Sequence, residues 1–410
     1  MQMNEPKLRF SEFKDIWNNH KIEDMFDRVG TPVDLDDTLT YREIGIRSHG
    51  KGIFHKDETT ASEIGNKRVF WVEPDCFVVN IVFAWERAVA KTTEAENGMI
   101  ASHRFPMYKP KKDVVDLDYI TEYFITKRGQ NVLILASPGG AGRNKTLGQK
   151  EFAKSVVKLP SLPEQQKIAE FLSTIDTVIE KQKETVSAWE ERKKGVMQKL
   201  FSQEVRFKAD DGSDFPEWEE KPYLSICNVF TDGDWIESKD QSDSGIRLIQ
   251  TGNIGNGIFV DKGDKKKYIS KETFDRLKCN EVFEGDILIS RLPSPAGRAC
   301  IVPKLNERMI TAVDCTIVRT DKSIISHDYC AQFMQSSKHF YYVASMMAGG
   351  TRQRISRRNL EDELISVPCL AEQQKIADCL SSLDEVIKKQ KATLAAWEEL
   401  KKGLLQQMFV

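Results

Sequence analysis

Residues 164–201 read EQQKIAEFLSTIDTVIEKQKETVSAWEERKKGVMQKLF, and residues 372–409 read EQQKIADCLSSLDEVIKKQKATLAAWEELKKGLLQQMF. Aligned without a gap, 24 of the 38 positions are identical at a constant offset of 208, so the chain contains an internal repeat. In the first copy Ile168, Leu172, Ile175, Ile179, Val186, Trp189, Val196 and Leu200 fall at spacings of three, four or seven residues, all in one heptad register. Ile376, Leu380, Leu383, Ile387, Leu394, Trp397, Leu404 and Met408 repeat that register. A sustained 3.5-residue period predicts long helices with a coiled-coil seam, in which Gln182 and Gln390 form matching polar notches. Lys181, Lys183, Lys193 and Lys194 read as an outer, solvated face. Gly195 and Gly403 cost about 1 kcal/mol each against alanine inside a helix. Close approach of a partner helix and a local helix end are both open explanations.

The repeat extends outward more weakly. Pro160 and Pro368 align just before the arms, and YREIGIRSHGKGIF (41–54) resembles IRLIQTGNIGNGIF (246–259). Each half opens alike, with Arg9-Phe10 before Trp17 and Arg206-Phe207 before Trp218. The boundaries expected are a variable domain over 1–158, a helical arm over 159–204, a second variable domain over 205–366 and a second arm over 367–410. Two copies in one chain predict an internal pseudo-two-fold axis, with the arms packed as an antiparallel pair. A 38-residue helix is about 57 Å long. One DNA turn is roughly 34–36 Å, so the arms have the reach to hold two domains one to one-and-a-half turns apart. The fold class expected is α+β: two mixed α/β domains separated by a long antiparallel two-helix coiled coil.

Composition narrows the class. At 410 residues, 40% apolar and 30% charged, the chain has room for two or three domains with their own cores. The first residues carry early acids and no apolar stretch of signal-peptide type, and no run is long enough to cross a membrane, so a cytoplasmic protein is expected. Eight cysteines are scattered without CxxC pairs or His clustering, which predicts reduced, mostly buried thiols and no metal site. A net charge of −2 gives no global argument for nucleic acid, so that case rests on local arrangement.

The variable regions predict short strands near 77–83, 132–136, 286–290 and 312–318, with helices over 118–127 and 328–345. Before each arm comes a glycine-containing basic loop: Gly140, Gly142, Arg143 and Lys145 in the first half, and Gly350, Thr351, Arg352, Arg354, Arg357 and Arg358 in the second. Glycine lets backbone N–H groups approach phosphate, and arginine presents two donors at once to phosphate or a guanine edge. With Arg291 and Arg298 these form the candidate DNA-contact set. Lys109, Lys111, Lys112, Lys265, Lys266 and Lys267 are further phosphate candidates, weighed against plain solubilising charge.

No catalytic constellation survives inspection. Residues 132–146 imitate a strand followed by a phosphate-binding loop, but Asn144 stands where GxxxxGK[ST] needs its last glycine. His103 and His339 lie beside aromatics and read as core or surface histidines. An Asp286–Arg291 pairing reads as structural.

The sequence Pro-x-x-x-Glu-Gln-Gln-Lys-Ile-Ala at 160–169 and again at 368–377, each time opening a heptad helix, resembles the repeated regions of type I restriction-modification specificity subunits. The resemblance covers the whole chain, and GDILISR (285–291) and GGTRQRISRRNL (349–360) follow it in outline, whereas GGAGRNKTLGQKEF (139–152) departs. It implies a non-catalytic subunit that reads a bipartite double-stranded DNA target, one half per recognition domain, with the helices setting the spacer. It implies recruitment of two methyltransferase subunits carrying S-adenosylmethionine, and through them two ATP- and Mg-dependent restriction subunits, with no cofactor on this chain. A protein-only coiled-coil scaffold would share the periodicity but leave the paired Gly–Arg loops unexplained. A self-contained enzyme lacks its motifs.

Overall fold

A computed structural model describes residues 6–139, 145–349 and 353–409. The chain divides into two compact units, Met1–Lys183 with Ala392–Val410, and Glu184–Lys391. The predicted arms are single helices, Leu162–Phe201 and Leu370–Met408. The unit boundaries cut through both helices, so each arm contributes half its length to each unit.

In the first unit, Phe26–Val29, Met107–Pro110, Phe77–Val79 and Val89–Lys91 form an antiparallel four-stranded sheet. A second sheet places Thr40–Ile46 between Ile53–Thr60 and Ile100–Ser102, the latter pairing parallel to it. The helices Leu117–Ile125 and Lys127–Leu135 connect these strands to the arm. Apolar residues of the arm's first half, Ile168, Leu172, Ile175 and Ile179, share one core with Leu404, Met408 and Phe409 and with Tyr119, Tyr123 and Phe124.

The second unit repeats this plan internally. Cys227–Asp232, Cys315–Thr320, Ile287–Ser290 and Ala299–Ile301 form its four-stranded sheet. A five-stranded sheet carries Ile246–Ile249, again parallel to a later strand, Met309–Thr311. Met197, Leu200 and Phe201 share a core with Tyr329, Phe333, Ile376, Ala377 and Leu380.

Three local expectations need correction. Residues 132–136 are the end of the helix Lys127–Leu135, not a strand. Thr126 caps that helix by accepting the Gly129 N–H at 3.1 Å, and Leu133 and Ala136 turn into the core at helical spacing, while Leu135 is exposed. The single helix expected in each half, 118–127 and 328–345, gives way to two, Leu117–Ile125 with Lys127–Leu135 and His327–Phe333 with Ser337–Met346; Thr126 and Ser336, with extended backbones, cap the second of each pair. The strand expected over 312–318 is Cys315–Thr320, preceded by a turn. All eight cysteines are free, five of them buried. Among the described residues no helix is long and apolar enough to cross a membrane.

Candidate nucleic-acid interface

The Glu-Gln pair that opens each arm is an internal clamp. Glu164 is wholly buried, and the Arg9 guanidinium donates to both its carboxylate oxygens at 2.7 and 2.8 Å. Gln165 donates to the carbonyls of Pro160 and Val114 and accepts the Asp116 N–H. The second unit builds the same clamp: Arg206 donates to both oxygens of buried Glu372 at 3.1 and 2.9 Å, with Trp218 Nε1 adding a third donor. Gln373 donates to Pro368 and Ile324 and accepts the Ser326 N–H. The similar openings Arg9-Phe10 and Arg206-Phe207 are thereby explained, because each arginine must reach a buried carboxylate at the root of its arm. A buried charge needs such a fully bonded partner.

A second clamp fastens helices to each domain further along. Lys193, itself buried, donates to both Asp384 oxygens at 2.7 and 2.8 Å and to Gln335, while Gln332 also donates to Asp384. In the first unit Lys401 donates to Asp176 at 2.8 Å and to Glu122 at 3.1 Å. Burial alone would depress the Lys401 ammonium, but Glu122 and Asp176 together raise it. Burial pushes the Glu122 carboxyl above its ordinary range, opposed by Lys401. Lys193, read from sequence as a solvated face, is therefore a packing residue. These two clamps were missed from sequence, although their signal lay in the identities shared by the two arms.

The basic loops spring from equivalent roots. Buried Leu147 donates its N–H to the Ile81 carbonyl at 2.8 Å, and buried Ile355 donates to the Arg291 carbonyl at 3.2 Å. Gly140, Gly142, Arg143, Gly350, Thr351 and Arg352 lie outside the described residues. Lys145 is half-buried just before Leu147. Arg354 is exposed and closes its loop through paired backbone bonds to Ala348, with its guanidinium 3.7 Å from Asp314. Arg357 pairs with Glu361 one turn on, and Arg358 is exposed with no ion pair to a described residue.

Arg291 and Arg298 stand differently. Arg291 is buried, donates to the Val313 carbonyl at 2.6 Å and lies 3.3 Å from Asp232. Arg298 donates to four backbone carbonyls, those of Thr251, Ile254, Leu292 and Pro295. Both hold loops in place with the same guanidinium donors that a DNA contact would use. Asp286 pairs with Arg319 at 2.7 Å, not with Arg291. His339 is wholly buried, with Nδ1 2.9 Å from the Glu363 carboxylate and Nε2 2.9 Å from the Gly297 carbonyl, a core histidine in position. Among the lysines, Lys109 and Lys111 donate to the carbonyls of Pro74 and Glu23, and Lys266 lies near Asp261 and Glu307. Lys112, Lys265 and Lys267 are exposed with no ion pair to a described residue. Among the described residues no group of three or more His, Cys, Asp or Glu could hold a metal ion.

Against known proteins, the family model described as the type I restriction modification DNA specificity domain matches residues 74–187 and 216–396. The chain is 22% identical over 357 residues to the type I restriction enzyme MjaVIII specificity subunit of Methanocaldococcus jannaschii, covering 84% of this chain and 80% of the relative. Its fold is similar to a chain from a structural study of type I R-M complex assembly, with a TM-score of 0.59, 15% identity and coverage of 96% and 97%. It is likewise similar to the type I S subunit of M. genitalium, with a TM-score of 0.53, 14% identity and 99% coverage of both chains. Two matched specificity regions, each rooted on a long helix by the same Arg–Glu and Gln clamps, are thus accounted for together: the chain belongs to the type I restriction-modification specificity subunits, the non-catalytic DNA-recognition members of those complexes.

Proposed function

We propose that each unit reads one half of an asymmetric, bipartite duplex target, and that the two long helices set the unread spacer between the halves. The observation that carries this reading is the double occurrence of the same clamps under domains whose loops differ. What is held constant is attachment to the helices, and what varies is the surface beyond them. The first unit seats residues 404, 408 and 409 beside 168, 172 and 175, and the second seats 197, 200 and 201 beside 376 and 380. Both seatings support helices that run antiparallel as a coiled coil, and with it a pseudo-two-fold arrangement that would put the modified bases on opposite strands. Lys145, Arg354, Arg357 and Arg358, with Gly140, Gly142, Arg143, Gly350, Thr351 and Arg352, form the proposed DNA contacts, and Arg291 and Arg298 shape the second unit's loops. Two methyltransferase subunits and two restriction subunits bring S-adenosylmethionine and ATP chemistry to the complex, which works in the cytoplasm.

Sequencing the methylome of cells that express this chain with a methyltransferase partner tests the reading. A split motif with a fixed gap is expected. Arg354→Ala should relax one half of that motif only, because each half has its own reader. Equal loss in both halves would exclude separate readers.

A further inference from the structure

The rung of backbone next to each loop root carries opposite charges in the two units. In the first unit the Ile81 carbonyl accepts from Leu147, and the Ile81 N–H donates to the Arg104 carbonyl at 3.0 Å. In the second, the Arg291 carbonyl accepts from Ile355, and the Arg291 N–H donates to the Asp314 carbonyl at 2.9 Å. Arg104 and Asp314 therefore occupy the same place, two backbone rungs from the residue that anchors the basic loop. In the second unit that place reaches the loop, because the Asp314 carboxylate lies 3.7 Å from Arg354 and 3.9 Å from Arg291. In the first unit Arg104 is exposed and makes no ion pair with a described residue, and the nearby loop contributes Lys145.

We propose that Arg104 is a DNA-contacting residue of the first unit, and that Asp314, its counterpart, tethers Arg354 in the second. The two readers then offer their half-sites opposite charge at one shared position. Arg104 presents a fork of donors to a phosphate or a guanine edge. Asp314 repels phosphate and holds Arg354 in place until DNA competes for it. The inference rests on the DNA-reading assignment above and adds a residue to it.

The test uses the full chain with its methyltransferase partner, on a duplex carrying the motif found in the methylome. Arg104→Ala should weaken binding about ten-fold or more. If the contact is to a phosphate, the salt slope falls by about one and both half-sites keep their sequence. If it is to a base edge, one position of one half-site becomes degenerate, and Arg104→Lys does not restore it. Asp314→Asn should leave that half-site untouched and tighten binding to unrelated duplex by releasing Arg354. Because Arg104 is exposed, the variant should melt with the wild-type chain, so lost affinity reports on contact and not on folding. Affinity within two-fold of wild type, with salt slope and methylome unchanged, overturns the inference while leaving the split-target reading intact. A wild-type complex that binds no duplex specifically overturns both.

Discussion

Single residues decide how firmly each domain is rooted. Glu164 and Glu372 are buried carboxylates, each held by one arginine fork. Removing one partner of such a pair leaves an uncompensated buried charge, typically about 3–5 kcal/mol. Arg9→Met is therefore expected to lower the urea stability of the first unit by about 3 kcal/mol, and an unchanged urea transition would show that the fork contributes little. The Lys401 site offers a sharper comparison. Its counterpart in the second unit combines Lys193 and Asp384 with a glutamine, Gln332, whereas the first unit has Glu122. Glu122→Gln should thus change stability at neutral pH by no more than about 1 kcal/mol, and Lys401→Met should cost about 3 kcal/mol, chiefly by stranding the Glu122 carboxylate, since Asp176 keeps access to water. The sign of the pH effect follows from burial. Because the folded Glu122 carboxyl is raised, its contribution is greatest below the unfolded value of about 4.3 and declines as pH climbs through the folded value. The wild-type chain should accordingly lose ground to Glu122→Gln between pH 4.5 and neutrality in urea melts, to an extent set by how far Lys401 offsets the burial. A difference that grows in the opposite direction would refute the assignment.

At the scale of the element, the long helices are continuous through Gly195 and Gly403, so neither glycine marks an end. Nor does a close neighbour demand them: a Cβ at Gly195 would meet nothing within 4 Å, and at Gly403 only the tip of Gln407 at 4.0 Å. Nothing in the structure requires glycine at either place. Gly195→Ala and Gly403→Ala should each stabilise the chain by about 1 kcal/mol, through helix propensity and a less flexible unfolded state. Thermal melts of the single and double variants check this, and a loss of stability would reveal a constraint outside the chain. The helices also carry the spacer argument. An insertion of about four residues, roughly one helical turn, into either arm should change the accepted gap and leave both half-site sequences alone. An unaltered gap in the methylome would remove the helices from that role.

At the scale of the whole molecule, the repeat was legible because periodic helices bury one stripe and so constrain every third or fourth residue. The near-identity of 164–201 and 372–409 determined the two long helices, the duplicated plan and, through its motif, the family. The domains were read less well. The run at 132–136 has the composition of a strand, yet the Thr126 cap and the packing of Leu133 make it a helix. Lys193 was misjudged because its partner is distant along the chain: it reads as a solvated cation, but Asp384 holds it in a buried clamp. Arg291 and Arg298, read as DNA-contact candidates, are engaged by Asp232 and by a set of backbone carbonyls equally remote in sequence. The sequence by itself determined which segments are rods and that the rods occur twice, since periodicity is a local property of consecutive residues. Only the tertiary structure decided which cations are tied down and which remain exposed beside the loops, because an ion pair depends on what folding brings within 4 Å. The placing of Arg104 and Asp314 on equivalent rungs of their two units belongs to that second kind of knowledge.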